Sequence, residues 1–140
     1  MRAGLAPGAW AALESHLIQA YPNEACGVLL GRAEAPFAVV EAHACANLNT
    51  ERSRDRYLMD PADQIRVEKD ARRRSLDVVG YYHSHPDHPA QASATDLELS
   101  WEQVLYIIVS VREGKVAERR AWFRPLGQKS FEEVALDAAL

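Results

Sequence analysis

Residues 77–86 read DVVGYYHSHP, and this stretch constrains the chain more than any other. Its β-branched and aromatic residues mark a buried strand over Asp77–Tyr82 that ends at His83-Ser84-His85-Pro86. In extended backbone, side chains two positions apart point the same way. His83 and His85 therefore face one point, with Ser84 turned to the other side. Neutral imidazole is a good zinc ligand, but an HxH pair by itself is more often a surface or hydrogen-bonded pair. Two residues downstream sharpen the reading: Ser93 and Asp96 complete the pattern HxHPx6SxxD. Asp96 offers an oxygen donor. Three protein ligands with one tetrahedral position open to water make the catalytic pattern, whereas four protein ligands make the structural one. Water held there falls to a pKa near 7 and becomes a usable nucleophile. Ser93-Ala94-Thr95-Asp96 also matches a capping box, with Ser93 at the N-cap and Asp96 at N3. The two readings are compatible.

The rest of the chain supplies a frame. Pro7 begins a helical pattern with Trp10, Leu13, Leu17 and Ile18 on one face, and Pro22 ends it. Cys26–Gly31 is a short apolar run bounded by glycine, a buried strand, and Phe37–Ala44 reads as its hairpin partner. Polar residues Asn47–Arg56 form a loop. Asp60-Pro61 starts a second helix running to about Ser75, its end enriched in arginine. A third helix is expected over about Ala94–Glu102, followed by strands Val104–Val111 and Val116–Phe123. Phe131–Leu136 fits either a strand or one helical turn. Helices interleaved with mixed strands imply an α/β sandwich rather than a bundle or barrel.

Composition excludes several classes. At 140 residues the chain suits a single domain, 1–140, that folds without a disulfide. A net charge of −4 gives no global basic field for nucleic acid. The longest apolar run, Val104–Val111, is too short to span a bilayer. The first sixteen residues read as mature protein rather than a signal peptide. Cys26 and Cys45 lack CxxC spacing and are expected to be buried thiols in a cytoplasmic protein. His88 lies near the histidine pair but departs from its two-residue period. His16 and His43 have no ligand-spaced partner. Trp101, Tyr106 and Trp122 are expected in or beside the core.

HSHP followed at this spacing by SxxD resembles the JAMM signature of the MPN-plus zinc metallopeptidases. VVGYYHSHP is similar to the strand that delivers that family's histidines. Pro22–Gly31 (PNEACGVLLG) resembles its first strand and the glutamate before it, and Asn47 with Tyr57–Pro61 resembles the connection into its second helix. The resemblance implies an MPN, cytidine-deaminase-like α/β fold, a mixed central sheet flanked by helices. It implies one Zn²⁺ held by His83, His85 and Asp96, with Glu24 as general base and Ser93 as hydrogen-bond donor to the oxyanion. Nothing local in the sequence pairs Glu24 with the histidines; a lone glutamate in a turn is ordinarily solvated. The implied reaction is hydrolysis of the amide after the C-terminal glycine of a ubiquitin-like or sulfur-carrier protein. The loop Asn49–Arg56 would clamp that Gly-Gly tail by strand addition. Small relatives often form dimers, so a homodimer is a further expectation. Two other readings stand beside it: a non-catalytic MPN scaffold, against which every metal position here is filled, and a RadC-like nucleic-acid-associated protein, whose motif and basic N-terminal region this chain lacks.

Overall fold

A four-residue strand, β1 (Arg2–Leu5), precedes the first helix, α1 (Pro7–Ala20). The computed structural model describes residues 1–137. β1 has no counterpart in the sequence reading; it is too short for its pattern to stand out. In α1, Pro7 occupies the first turn, where its missing N–H leaves no bond unmade. Leu13 and Leu17, four apart, are fully buried, each contributing roughly 1.5–3 kcal/mol of apolar transfer.

β2 (Cys26–Arg32) and β3 (Phe37–Cys45) form the expected antiparallel pair. α2 (Pro61–Arg73) is capped by Asp60, whose carboxylate accepts the Ala62 amide at 2.9 Å. β4 (Asp77–Pro86) runs four residues past the expected strand, because the parallel neighbour β5 (Leu105–Arg112) continues to pair with it: His83 lies opposite Ile108, His85 opposite Ser110 and Pro86 opposite Val111. The histidines are therefore strand residues, held by a ladder. α3 (Ala94–Glu98) stops well short of Glu102. The backbone amides beyond it are taken by other groups: the Tyr106 hydroxyl accepts from Trp101 N and the Arg124 carbonyl from Gln103 N. Trp101 consequently projects into solvent rather than lying in or beside the core, whereas Tyr106 and Trp122 are buried as expected. β6 (Lys115–Phe123) and β7 (Glu132–Asp137) complete the chain, the ambiguous tail having resolved as a strand.

The expected mixed sheet with flanking helices is present, with one topological addition. The strands order β1-β3-β2-β4-β5-β6-β7, and β1 pairs in parallel with both β3 and β7, closing the sheet into a barrel. The reading against a barrel fails on these two short strands. One face of the sheet packs Leu29, Val39, Ile107 and Val109 against Leu13 and Leu17 of α1. The other packs Cys26, Val28 and Leu30 against Val67 and Ala71 of α2. Both cysteines are free and buried, as expected.

A bulge sits upstream of the histidines. Leu29 pairs with Gly80 and Leu30 with Val78, leaving Val79 as an extra residue in β4. Gly80 is required there: a Cβ at this position would stand 1.8 Å from the Leu105 carbonyl oxygen. After the bulge, Tyr82 joins the α1 core while Tyr81 packs on the opposite face. Strand alternation then puts His83 and His85 on the Tyr81 side.

Candidate metal centre

The β4 histidines meet α3 at Asp96. The Nε2 atoms of His83 and His85 stand 3.2 Å apart. One Asp96 carboxylate oxygen lies 3.1 Å from His83 Nε2 and the other 3.1 Å from His85 Nε2. His85 Nδ1 donates to the Pro89 carbonyl at 2.8 Å. A carbonyl only accepts, so that nitrogen carries the proton, and whenever the ring is neutral Nε2 is the lone-pair atom, available to an ion. His83 is buried, and its Nδ1 has no partner among the described residues. The Tyr57 ring lies against it, with centroids 4.8 Å apart and planes 30° from parallel.

These separations suit a small divalent ion. Donors at 2.0–2.1 Å in a tetrahedron stand about 3.3 Å from one another, close to the 3.1–3.2 Å observed here. Burial lowers the His83 pKa and favours its neutral, ligating form. Burial also opposes the charge on Asp96, yet hydrogen bonds donated by Nε2–H of His83 and His85 outweigh it and hold the carboxyl well below the ordinary range; a bound cation would take the place of those protons.

Asp96 is placed by the capping box read from the sequence. Asp96 N donates to Ser93 Oγ at 3.0 Å, and Ser93 N donates to the Asp96 carboxylate at 2.9 Å. That second bond orients the carboxylate toward the histidines. The Ser93 hydroxyl spends an acceptor site on the cap and keeps its proton for a bond into the cleft.

Glu24 arrives from the turn after α1. It is buried, and a carboxylate oxygen lies within 4.8 Å of a nitrogen of each histidine. Its side chain makes no hydrogen bond among the described residues. Burial pushes its pKa up to about 8; His85 pulls the other way and Asp96 adds to the rise. A cation alongside would lower it again. The five candidates Glu24, His83, His85, Ser93 and Asp96 thus come together. All but the buried His83 line one cleft of about 310 Å³, whose lining also includes Arg54–Tyr57, Gln91, Thr95 and Leu99. His88 also lines the cleft but is exposed, outside the three-donor cluster. His16 bonds to Tyr82 and His43 to Glu41, so neither joins the cluster.

The chain matches the family model described as prokaryotic homologs of the JAB domain over residues 7–125. It belongs to that family. This JAB domain is 39% identical over 90 residues to a desampylase of Haloferax volcanii, a match covering 64% of the chain and 63% of the relative. It is 33% identical over 114 residues to the CysO-cysteine peptidase of Mycobacterium tuberculosis, covering 79% and 75%. The named relatives are peptidases and desampylases. Among solved structures, a Desulfitobacterium hafniense protein superposes with a TM-score of 0.82 at 29% identity, covering 99% of this chain and 92% of that one. A JAB1/MPN domain protein of Archaeoglobus fulgidus shares the fold, with a TM-score of 0.60 at 18% identity over all of both chains.

Several positioning contacts of the JAB site carry no local sequence signal. The loop after His85 is bolted to β5 and β6: Ser110 Oγ donates to the His88 carbonyl at 2.5 Å, Trp122 Nε1 to the Ala90 carbonyl at 3.2 Å, and Ala90 N to Glu118 at 2.9 Å. Asp87, at φ 57°, turns the chain; its carboxylate accepts from the Tyr21 hydroxyl at 2.6 Å and from Glu113 N at 3.0 Å. These partners are distant in sequence, so no spacing rule finds them.

Proposed function

We propose that this JAB domain is a zinc-dependent peptidase that hydrolyses the amide after the C-terminal glycine of a ubiquitin-like or sulfur-carrier protein. The observation that carries the reading is Asp96 equidistant from two imidazole nitrogens, 3.1 Å from each, beside a buried glutamate in an open cleft. His83, His85 and Asp96 hold the ion. When bound, zinc supplies a Lewis acid that brings water to a usable pKa.

The chain's own residues supply the proton movements. Glu24 takes a proton from the attacking water, and the hydroxide adds to the scissile carbonyl carbon. The Ser93 hydroxyl donates to the oxygen as it gains charge, a contact worth several kcal/mol in other enzymes. Glu24 then passes its proton to the nitrogen as the C–N bond breaks, leaving a glycine carboxylate and a free amine. Glu24 serves both halves of the cycle because the proton it takes from water is the one it returns to the amine.

The named relatives support the substrate class: one is a desampylase and another a CysO-cysteine peptidase. The cleft between the Arg54–Tyr57 loop and the start of α3 would admit an extended Gly-Gly tail, with the loop pairing along it. Two free, buried cysteines fit a reducing compartment, in keeping with a cytoplasmic enzyme.

Elemental analysis of wild type and His83→Ala tests the metal assignment; one zinc per chain is expected in the first and none in the second. Glu24→Gln tests the base. It should retain zinc yet lose turnover on carrier adducts and modifier fusions, because an amide cannot accept the proton. Near-normal kcat in Glu24→Gln would refute the role.

A further inference from the structure

We infer that Asn47 is a positioning residue for the base: its side-chain amide fixes where Glu24 stands relative to the histidines. The inference rests on Glu24 serving as the base of the proposed reaction. Asn47 lies two residues past the end of β3, and all four hydrogen-bonding positions of its amide are used. Nδ2 donates to the Glu24 carbonyl and to the Arg56 carbonyl, each at 3.1 Å. Oδ1 accepts from Asn49 N and from Leu58 N, each at 3.0 Å. One side chain thus ties together three segments: the turn before β2, the outgoing arm of the cleft loop and its return.

Glu24 needs such support because its own carboxylate has no hydrogen-bond partner among the described residues. Its backbone is held instead. Its carbonyl is taken by Asn47 and its N–H by the Ser53 carbonyl at 2.6 Å. On the far side, the next residue is locked to β4, with Ala25 N donating to Ser84 Oγ at 2.9 Å and Ser84 N to the Ala25 carbonyl at 3.0 Å. Ser84 belongs to the strand that carries both histidines, so the base is suspended between that strand and the cleft loop. Asn47 anchors the loop end. Through the Arg56 carbonyl it also sets the start of Tyr57, whose ring covers His83.

The residue type follows from this chemistry. Only a side-chain amide offers two donors and an acceptor oxygen with two lone pairs from one short arm. Aspartate keeps the acceptor half and loses both donors. Glutamine carries the same groups a methylene farther out. Displacing a catalytic group by about 1 Å costs on the order of 100-fold in rate, and that is the scale expected here.

The test compares wild type, Asn47→Asp, Asn47→Ala, Glu24→Gln and Arg74→Ala as zinc-loaded full chains. The probe is a ubiquitin-like protein whose Gly-Gly tail is amide-linked to aminomethylcoumarin. Asn47→Asp and Asn47→Ala should each lose about 100-fold in kcat, with KM within threefold and one zinc retained. Arg74→Ala, which breaks a paired contact with Glu41 away from the cleft, controls for general destabilisation and should keep wild-type kcat. Should Asn47→Ala fail to fold, Asn47→Asp carries the test, since it retains the bonds from Asn49 and Leu58. Wild-type kcat in Asn47→Asp, beside an inactive Glu24→Gln, overturns the inference and leaves the proposed function standing. Loss of zinc from the Asn47 variants also overturns it, because the effect would then lie at the metal. A wild type with no zinc-dependent turnover of the probe overturns the function and the inference together.

Discussion

Replacing Asp96 by asparagine separates the cap role of its carboxylate from its proposed role as a metal ligand. In the wild type, one oxygen faces His83, while the other faces His85 and accepts the Ser93 amide. Asparagine matches the shape and keeps one oxygen, which can still take the Ser93 N–H at 2.9 Å. The reciprocal cap bond, Asp96 N to Ser93 Oγ, is made by backbone and is untouched. What disappears is the anionic donor. Tetrahedral zinc sites of four protein ligands bind with about 10–16 kcal/mol at neutral pH, or roughly 2.5–4 kcal/mol per ligand. At 1.4 kcal/mol per decade, Asp96→Asn should weaken zinc affinity by about 10²–10³-fold. Asp96→Ala should show the same loss and, in addition, cost about 1 kcal/mol in the metal-free protein, because the Ser93 amide then lacks its acceptor. Competition against a chromophoric chelator gives the zinc Kd, and denaturant melts in EDTA give apoprotein stability. An Asp96→Asn Kd within threefold of wild type would refute the ligand assignment. Equal apoprotein stabilities for the Asn and Ala variants would refute the separate cap contribution.

Three other outcomes are set by the geometry. Gly80→Ala drives a Cβ into the Leu105 backbone at the first rung of the β4–β5 ladder; we expect a loss of about 3 kcal/mol, or about 10 °C in Tm, by thermal melt. Burial pushes the thiols of Cys26 and Cys45 up to about 12 and about 11, so iodoacetamide at pH 8 should leave both unlabelled in the native protein and label both in urea. Glu41 is held down to about 2, first by the hydrogen bond from Arg74 and then by that from His43. Its folded pKa is depressed from an unfolded value of 4.5, so the stability it adds is complete above that pH and lost as pH falls toward 2. Solvent access keeps the amount at about 1 kcal/mol or less, and the gap between wild type and Glu41→Gln in acid urea titrations should close over that window.

The proposed metal donors are legible in the sequence because their signals are short-range. His83 and His85 are two apart in a strand, and Ser93 with Asp96 reads as a helix start; each pattern is set by local backbone geometry. Glu24 is reachable through resemblance alone. The contacts that place it run through Asn47, Ser53 and Ser84, each far from it in the chain. The same division holds for the fold. α1, α2 and the long strands follow from periodicity and capping. β1 escapes such a reading because four residues carry too little pattern, and with it goes the barrel closure, a pairing of Arg2 with Ala135 that no local signal encodes. α3 is shorter than its pattern implies because the competing acceptors for the next amides, Tyr106 and Arg124, come from β5 and the chain beyond β6.

That seam between β1 and β7 has a consequence for biogenesis. The barrel is joined by the two strands most distant along the chain, so it stays open on the ribosome until residues near 137 have emerged, and its last step carries the largest loop-closure cost. Until then β1, which covers β3, and β6 each present an unpaired ladder to other chains. Removal of β1 from the finished protein would reopen the barrel, leaving the β3 and β7 edges unpaired. The vulnerability to self-association therefore lies along β1, three strands away from the histidine-bearing β4.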